Sequence, residues 1–159
     1  MYFPKKNKRL GFALVEILVA CSIISVALVA LVSSVYAATE LSRRSVENIQ
    51  AGFLLEEGAE VTKIIRDNGW SGISSLTIGT NYYPTFSSNI WSLSTTPNTL
   101  GIFTRTVVID NVYRDLNDDI ASSGTLDTGM RKVTETITWN NEKGLQTKTL
   151  TFYIGDLFS

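Results

Sequence analysis

Hydrophobic and polar positions change rhythm twice along this chain, and each change marks a new element. In residues 12–32 apolar side chains follow one another almost without a break, with Glu16, Ser22 and Ser25 the only exceptions among 21 positions. As a helix rising ~1.5 Å per residue the run reaches roughly 32 Å, and a bilayer core is about 30 Å thick. Its 13 Leu, Ile, Val and Phe residues favour insertion by roughly 4 to 8 kcal/mol in sum, against ~3 for one acid at the membrane centre. Insertion therefore wins despite Glu16.

Beyond the run, residues 35–67 keep helical spacing but become amphipathic. Ala51, Leu54, Leu55, Gly58, Val61 and Ile65 recur at steps of three and four, the signature of one buried helical face. Glu40 with Arg43 and Arg44, Arg43 with Glu47, and Glu60 with Lys63 are spaced to pair on the helix surface, each pair worth roughly 0.2 to 0.5 kcal/mol. Glu56, Glu57 and Glu60 read as a solvated face, with subunit contacts as the alternative. One long helix over 12–67 is predicted, ended by Asn68-Gly69, since both residues tolerate the backbone of a helix C-cap. Gly58 in mid-helix costs ~1 kcal/mol against Ala, which points to close packing against a sheet, or to a soft point.

After Trp70 the chain turns to Ser, Thr, Gly and Asn with scattered aromatics, a composition for strands and turns. Residues 71–98 read as a long irregular connection with a short strand near 81–86, in which Tyr83 and Trp91 serve local packing. Three segments then alternate with a period of two: Phe103, Val107, Ile109; Val133, Ile137, Trp139; and Leu150, Phe152, Ile154. Residues 140–144, NNEKG, make the last two a hairpin. Arg105 and Glu135 interrupt otherwise apolar faces and are expected to pair with each other or with a helix carboxylate, because a buried charge is tolerated only with a partner. The fold class is thus α+β: a long N-terminal helix, half membrane-embedded and half amphipathic, packed on a small antiparallel sheet.

Candidate chemistry centres on Glu16, because an ionisable side chain in a membrane segment is a functional site by default and needs a partner. A carboxyl that snorkels or stays protonated is the plain alternative. Its surroundings decide. Lys5, Lys6, Lys8 and Arg9 precede Gly11, then come Phe12, Ala13, Leu14, Val15 and Glu16. This resembles the prepilin signal of the type IV pilin and pseudopilin family: a basic leader, Gly, Phe, a small residue, two aliphatics and Glu. The stretch LLEEGAEVTKIIRDNGW is similar to a helix-ending segment of many pseudopilin-like bacterial proteins.

The resemblance implies a pilin-like fold and a route. A prepilin peptidase cuts between Gly11 and Phe12 and methylates the new Phe12 amine. Glu16, one turn along, is then answered by the Phe12 amine of a neighbouring subunit during assembly. The implied partners are that peptidase, a membrane assembly platform with its motor ATPase, other pilin-like subunits and the membrane itself. The sequence departs from the family at Ala13, where Thr is common, and at Ser25 and Ser33, where many major pilins carry Gly and Pro, so a melted helical segment is not expected. The usual C-terminal disulfide loop of major pilins has no cysteines to form it. That lack and the short β domain lean towards a minor subunit or secretion pseudopilin.

Charge and composition narrow the rest. Cleavage after Gly11 removes four of the 14 basic residues and none of the 15 acidic ones, moving the side-chain balance from −1 to −5. An acidic exposed part lacks the basic footprint of direct nucleic-acid binding. With no His and a single Cys, neither a Ser-His-Asp nor a Cys-His nucleophile can be built, and no ordinary zinc site, so neither an enzyme nor a cofactor is expected. Cys21, inside the apolar run, reads as a small apolar filler, with a helix contact or lipidation as alternatives. Asp115, Asn117 and Asp119 are spaced like the opening of a calcium loop, but Ile120 and Leu126 stand where its Gly and bidentate Glu belong; related pseudopilins carry a calcium-stapled loop, and a solvated turn is the expectation here.

The four basic residues before the run, against Arg43 and Arg44 after it, place the N-terminus in the cytoplasm. The chain is accordingly divided into a leader, 1–11, an assembly and transmembrane helix, 12–34, an amphipathic extension, 35–67, and an extracytoplasmic β domain, 68–159. The expected protein is a single-pass subunit of the bacterial cytoplasmic membrane that enters a type IV pilus or a type II secretion-like pseudopilus. Two rivals remain: a non-polymerising anchored β domain that binds a partner, and a secreted domain released by a cut between Ala37 and Ala38.

Overall fold

The computed structural model describes residues 10–157, with side chains from Ala13 onward; Lys5, Lys6, Lys8 and Arg9 lie outside the described residues. The chain divides into two units, Met1–Glu47 and Asn48–Ser159. Helix α1, Leu10–Asp67, contributes to both.

In the first unit the apolar side chains stand exposed, Ile17 at 63% and Val26 at 71% among them. Within α1 the stretch Ala13–Asp67 contains a window long and apolar enough to cross a membrane. Ser22, Ser25, Ser33 and Ser34 donate their hydroxyl hydrogens to the carbonyls of Leu18, Cys21, Val29 and Ala30 at 2.7 to 2.9 Å. Each polar group is thereby satisfied within the helix, as lipid requires. The helix runs unbroken through Ser25 and Ser33. The expected ion pairs form: Arg43 meets Glu40 at 3.0 Å and Glu47 at 2.9 Å, and Arg44 meets Glu40 at 2.6 Å.

The second unit lays residues 48–67 of α1 on an antiparallel sheet. Asn68 N–H closes on the Ile64 carbonyl at 3.0 Å, and Gly69, at φ +142°, turns the chain out of the helix. A one-turn helix α2, Ser71–Ser74, follows, then strands β1 Asn81–Ser87, β2 Ile90–Ser94, β3 Thr99–Leu100, β4 Phe103–Arg114, β5 Ile120–Ala121, β6 Thr125–Asn141 and β7 Gly144–Gly155. The order across the sheet is β2-β1-β4-β6-β7, with β3 and β5 pairing with β4. The 140–144 turn makes the β6–β7 hairpin, whose register sets Val133 against Phe152 and Ile137 against Lys148.

Three expectations need correction. Residues 71–98 are not an irregular connection: β1 and β2 form a hairpin whose turn residues Ser88 and Asn89 take φ +52° and +62°. Tyr82, not Tyr83, enters the core, and its hydroxyl accepts the Thr77 N–H at 2.8 Å. Strands β4 and β6 reach further than their alternating cores, into the segment expected to be a plain turn. There the Arg114 guanidinium binds Asp127 at 2.7 Å and donates to the Asp118 carbonyl at 2.7 Å. That hydrogen bond holds the Asp127 carboxyl below its ordinary value.

The core is two apolar clusters. One joins Val61, Ile65, Ile73, Tyr82, Val107, Ile109, Val133 and Ile154; the other joins Ala51, Leu55, Phe103, Ile137 and Trp139. On α1, β4 and β6 alike, a polar or glycine position falls between the two: Gly58, Arg105 and Glu135.

Candidate functional site

Glu16 projects from the exposed apolar helix beside Val15, Val19, Ala20 and Ile23. It makes no hydrogen bond or ion pair among the described residues. Gly11 and Phe12 belong to the helical backbone, and Phe12 lies four residues before Glu16, one turn or about 6 Å along the axis. A helix beginning at Phe12 would present its first four N–H groups unpaired and the positive end of its dipole, so a free amine there adds to a local positive field. Cys21 is exposed on the same helix and unpaired.

Within the second unit the sequence-flagged charges, Arg105 and Glu135, sit at 1% and 0% exposure. They are not bonded directly to each other. Arg105 reaches back to α1, its guanidinium 3.6 Å from Glu57 Oε1 and donating to the Leu54 carbonyl at 3.3 Å, which is the helix-carboxylate alternative. Glu135 accepts the Thr62 hydroxyl at 3.2 Å through Oε1, while Oε2 has no partner. Burial pushes its carboxyl up to about 7, against the opposing pull of the Thr62 hydroxyl and the Arg105 charge. A Cβ at Gly58 would overlap Glu135 Oε2 and stand 2.8 Å from its Cδ, so the glycine is there for close packing. Thr62 gave no signal in the sequence beyond helical spacing.

In the Asp115 turn, Asp115 Oδ1 accepts the backbone N–H groups of Asn117 and Asp119 at 2.8 and 3.1 Å. Its carboxylate is used to shape the turn, and among the described residues no group of three His, Cys, Asp or Glu could hold a metal ion. Glu56 and Glu60 lie on the solvated face, and Glu60 pairs with Lys63 at 2.7 Å.

A long N-terminal apolar helix whose far end packs on a small antiparallel sheet is an α+β, pilin-like architecture. Residues 6–32 match the family model described as the prokaryotic N-terminal methylation motif, so the chain carries the prepilin signal of type IV pilins and pseudopilins. No curated protein and no solved structure matches the chain. The matched residues include Gly11, Phe12 and Glu16, and the signal together with the apolar helix fits a membrane-anchored, prepilin-processed protein.

Proposed function

We propose that this chain is a structural, non-enzymatic subunit of a type IV pilus or a type II secretion-like pseudopilus, stored in the bacterial cytoplasmic membrane with its N-terminus in the cytoplasm and its β domain outside. Water adds across the Gly11–Phe12 peptide bond under the prepilin peptidase, leaving the Gly11 carboxylate on the leader and a free Phe12 amine, which then takes a methyl group from a methylsulfonium donor, releasing the thioether and a proton. The assembly platform draws the processed subunit into a filament in which the bundled helices form the axis and other pilin-like subunits are the neighbours. The observation that carries this reading is one carboxylate, Glu16, on an exposed apolar helix one turn from Phe12, inside the matched motif.

The physical reason is the cost of that carboxylate. A charge taken out of water is tolerated when paired, and an amine supplied by an adjacent subunit pairs it only at one axial stagger. Glu16→Leu should therefore still insert and be cut, yet fail to enter filaments. N-terminal sequencing of the mature protein tests the route directly. A chain starting at N-methylated Phe12 supports the reading, a start at Ala38 replaces it with secretion, and an uncut Met1 leaves a non-polymerising anchored domain.

A further inference from the structure

On the face of the sheet turned away from α1, where β4 and β6 change register at Asn111 and Val112, lies a cleft of about 490 Å3. Such a volume is within the usual range for small-molecule sites, roughly 300 to 1,000 Å3. Asp110, Lys132 and Tyr153 share this face of the sheet by register, and Asn111, Tyr113 and Ser122 also line the cleft. Asp110 and Lys132 are register partners across β4 and β6, and Lys132 and Tyr153 are register partners across β6 and β7.

None of these six side chains makes a hydrogen bond or ion pair among the described residues, whereas the neighbouring Arg114 and Asp127 are bonded to each other within the fold. The cleft thus holds a carboxylate acceptor, an ammonium donor and a phenol side by side on one sheet face, with hydrogen-bonding capacity unused within the fold. One acid and one base make its side-chain charge zero, which favours neither an anion nor a cation. The Tyr153 ring, 46% exposed, offers an apolar face beside those polar groups.

We propose that this cleft is a binding site for a neutral saccharide. Vicinal hydroxyls both donate and accept, so one sugar edge satisfies Asp110 and Lys132 together, with Ser122 at the rim, while the C–H face of the ring lies on Tyr153. The inference goes beyond the filament reading and holds whether or not the chain polymerises.

The full chain, in a polyoxyethylene detergent free of sugar head groups, is probed by saturation-transfer NMR with four neutral sugars, cellobiose, maltose, lactose and N,N′-diacetylchitobiose, and with anionic sialyllactose as a control. At least one should bind with Kd in the millimolar range, about −4 kcal/mol. Tyr153→Ala and Asp110→Ala should each weaken it about tenfold, and Thr138→Val, on the same sheet face beyond the cleft, should leave it unchanged. Circular dichroism confirms that the variants fold. No transfer from any of the four sugars at about 10 mM overturns the proposal. So does binding that survives both Tyr153→Ala and Asp110→Ala, or binding restricted to sialyllactose and abolished by Lys132→Met, which would mark an anion site instead.

Discussion

Glu135 gives the sharpest test of the packing described above. Its carboxyl is fully buried, bonded only to Thr62, and pushed up to about 7. The charged groups facing it are Arg105 from β4 and, through Arg105, Glu57 from α1; β7 presents Leu150 as its register partner. In the unfolded chain the same group ionises near its ordinary 4.5. Between those two values the folded state keeps a proton that the unfolded state has lost, so stability falls as pH rises through that window. The full loss is about 3 kcal/mol, or roughly 10 °C in Tm for a domain of this size. Asp127 acts with the opposite sign and at lower pH, since its carboxyl is held below its ordinary value and its contribution is lost only on acidification. Thermal unfolding of the full chain in detergent, followed by the fluorescence of buried Trp139, reads the slope from pH 5 to 8. The parent should lose stability across that range and Glu135→Gln should be nearly flat. A parent whose stability holds or rises towards pH 8, or a variant that keeps the parent's slope, refutes the assignment of a buried neutral carboxyl.

Gly58→Ala, which gains about 1 kcal/mol on an open helix, should here cost roughly 1 to 3 by overpacking against Glu135; chemical denaturation measures it, and Glu135→Ala in the same chain should recover much of the loss. Trp139→Ala removes a ring at 4% exposure whose centroid is 5.6 Å from that of Phe103, and should cost about 3 to 5 kcal/mol. Phe86→Ala, 58% exposed with its ring tilted 5.0 Å from that of Trp91, should cost no more than about 1.5 kcal/mol. Added calcium should not move the Tm, because Asp115 already spends an oxygen on its own turn; a rise that Asp115→Asn abolishes would show a metal site after all.

Most of the long helix was legible because two different periodicities, continuous then amphipathic, meet without a breaker, and the ion pairs at Glu40, Arg43, Arg44 and Glu47 follow from spacing alone. The three long strands were legible from alternation, which a half-buried antiparallel sheet imposes. The β1–β2 hairpin was not, because its turn is Ser88-Asn89 rather than a glycine pair, and Asn is the residue besides glycine that most readily takes positive φ. Tyr82 rather than Tyr83 takes the buried position of β1, and two neighbouring tyrosines carry no alternation in the sequence to tell inside from outside. The pairing of Arg105 with Glu57 rather than Glu135 depends on where the helix lies over the sheet, a distance no spacing rule encodes. Glu16 stood out at once, since a lone acid in an oily run has no packing rationale. The cleft at Asp110 and Tyr153 gave no local signal, since its side chains come from β4, the β5 region, β6 and β7 and meet only through register.

The polar interruption between the two apolar clusters has a mechanical consequence. A helix resting on a uniformly aliphatic sheet could slide by one turn and find nearly the same surface again. Here a shift of four residues either way would bring Leu54 or Thr62 to the place of Gly58, and neither leaves room for the Glu135 carboxyl. The sheet is therefore keyed to its helix like a notch to a tooth, and a pull along the helix axis meets steric resistance before any greasy contact has to yield.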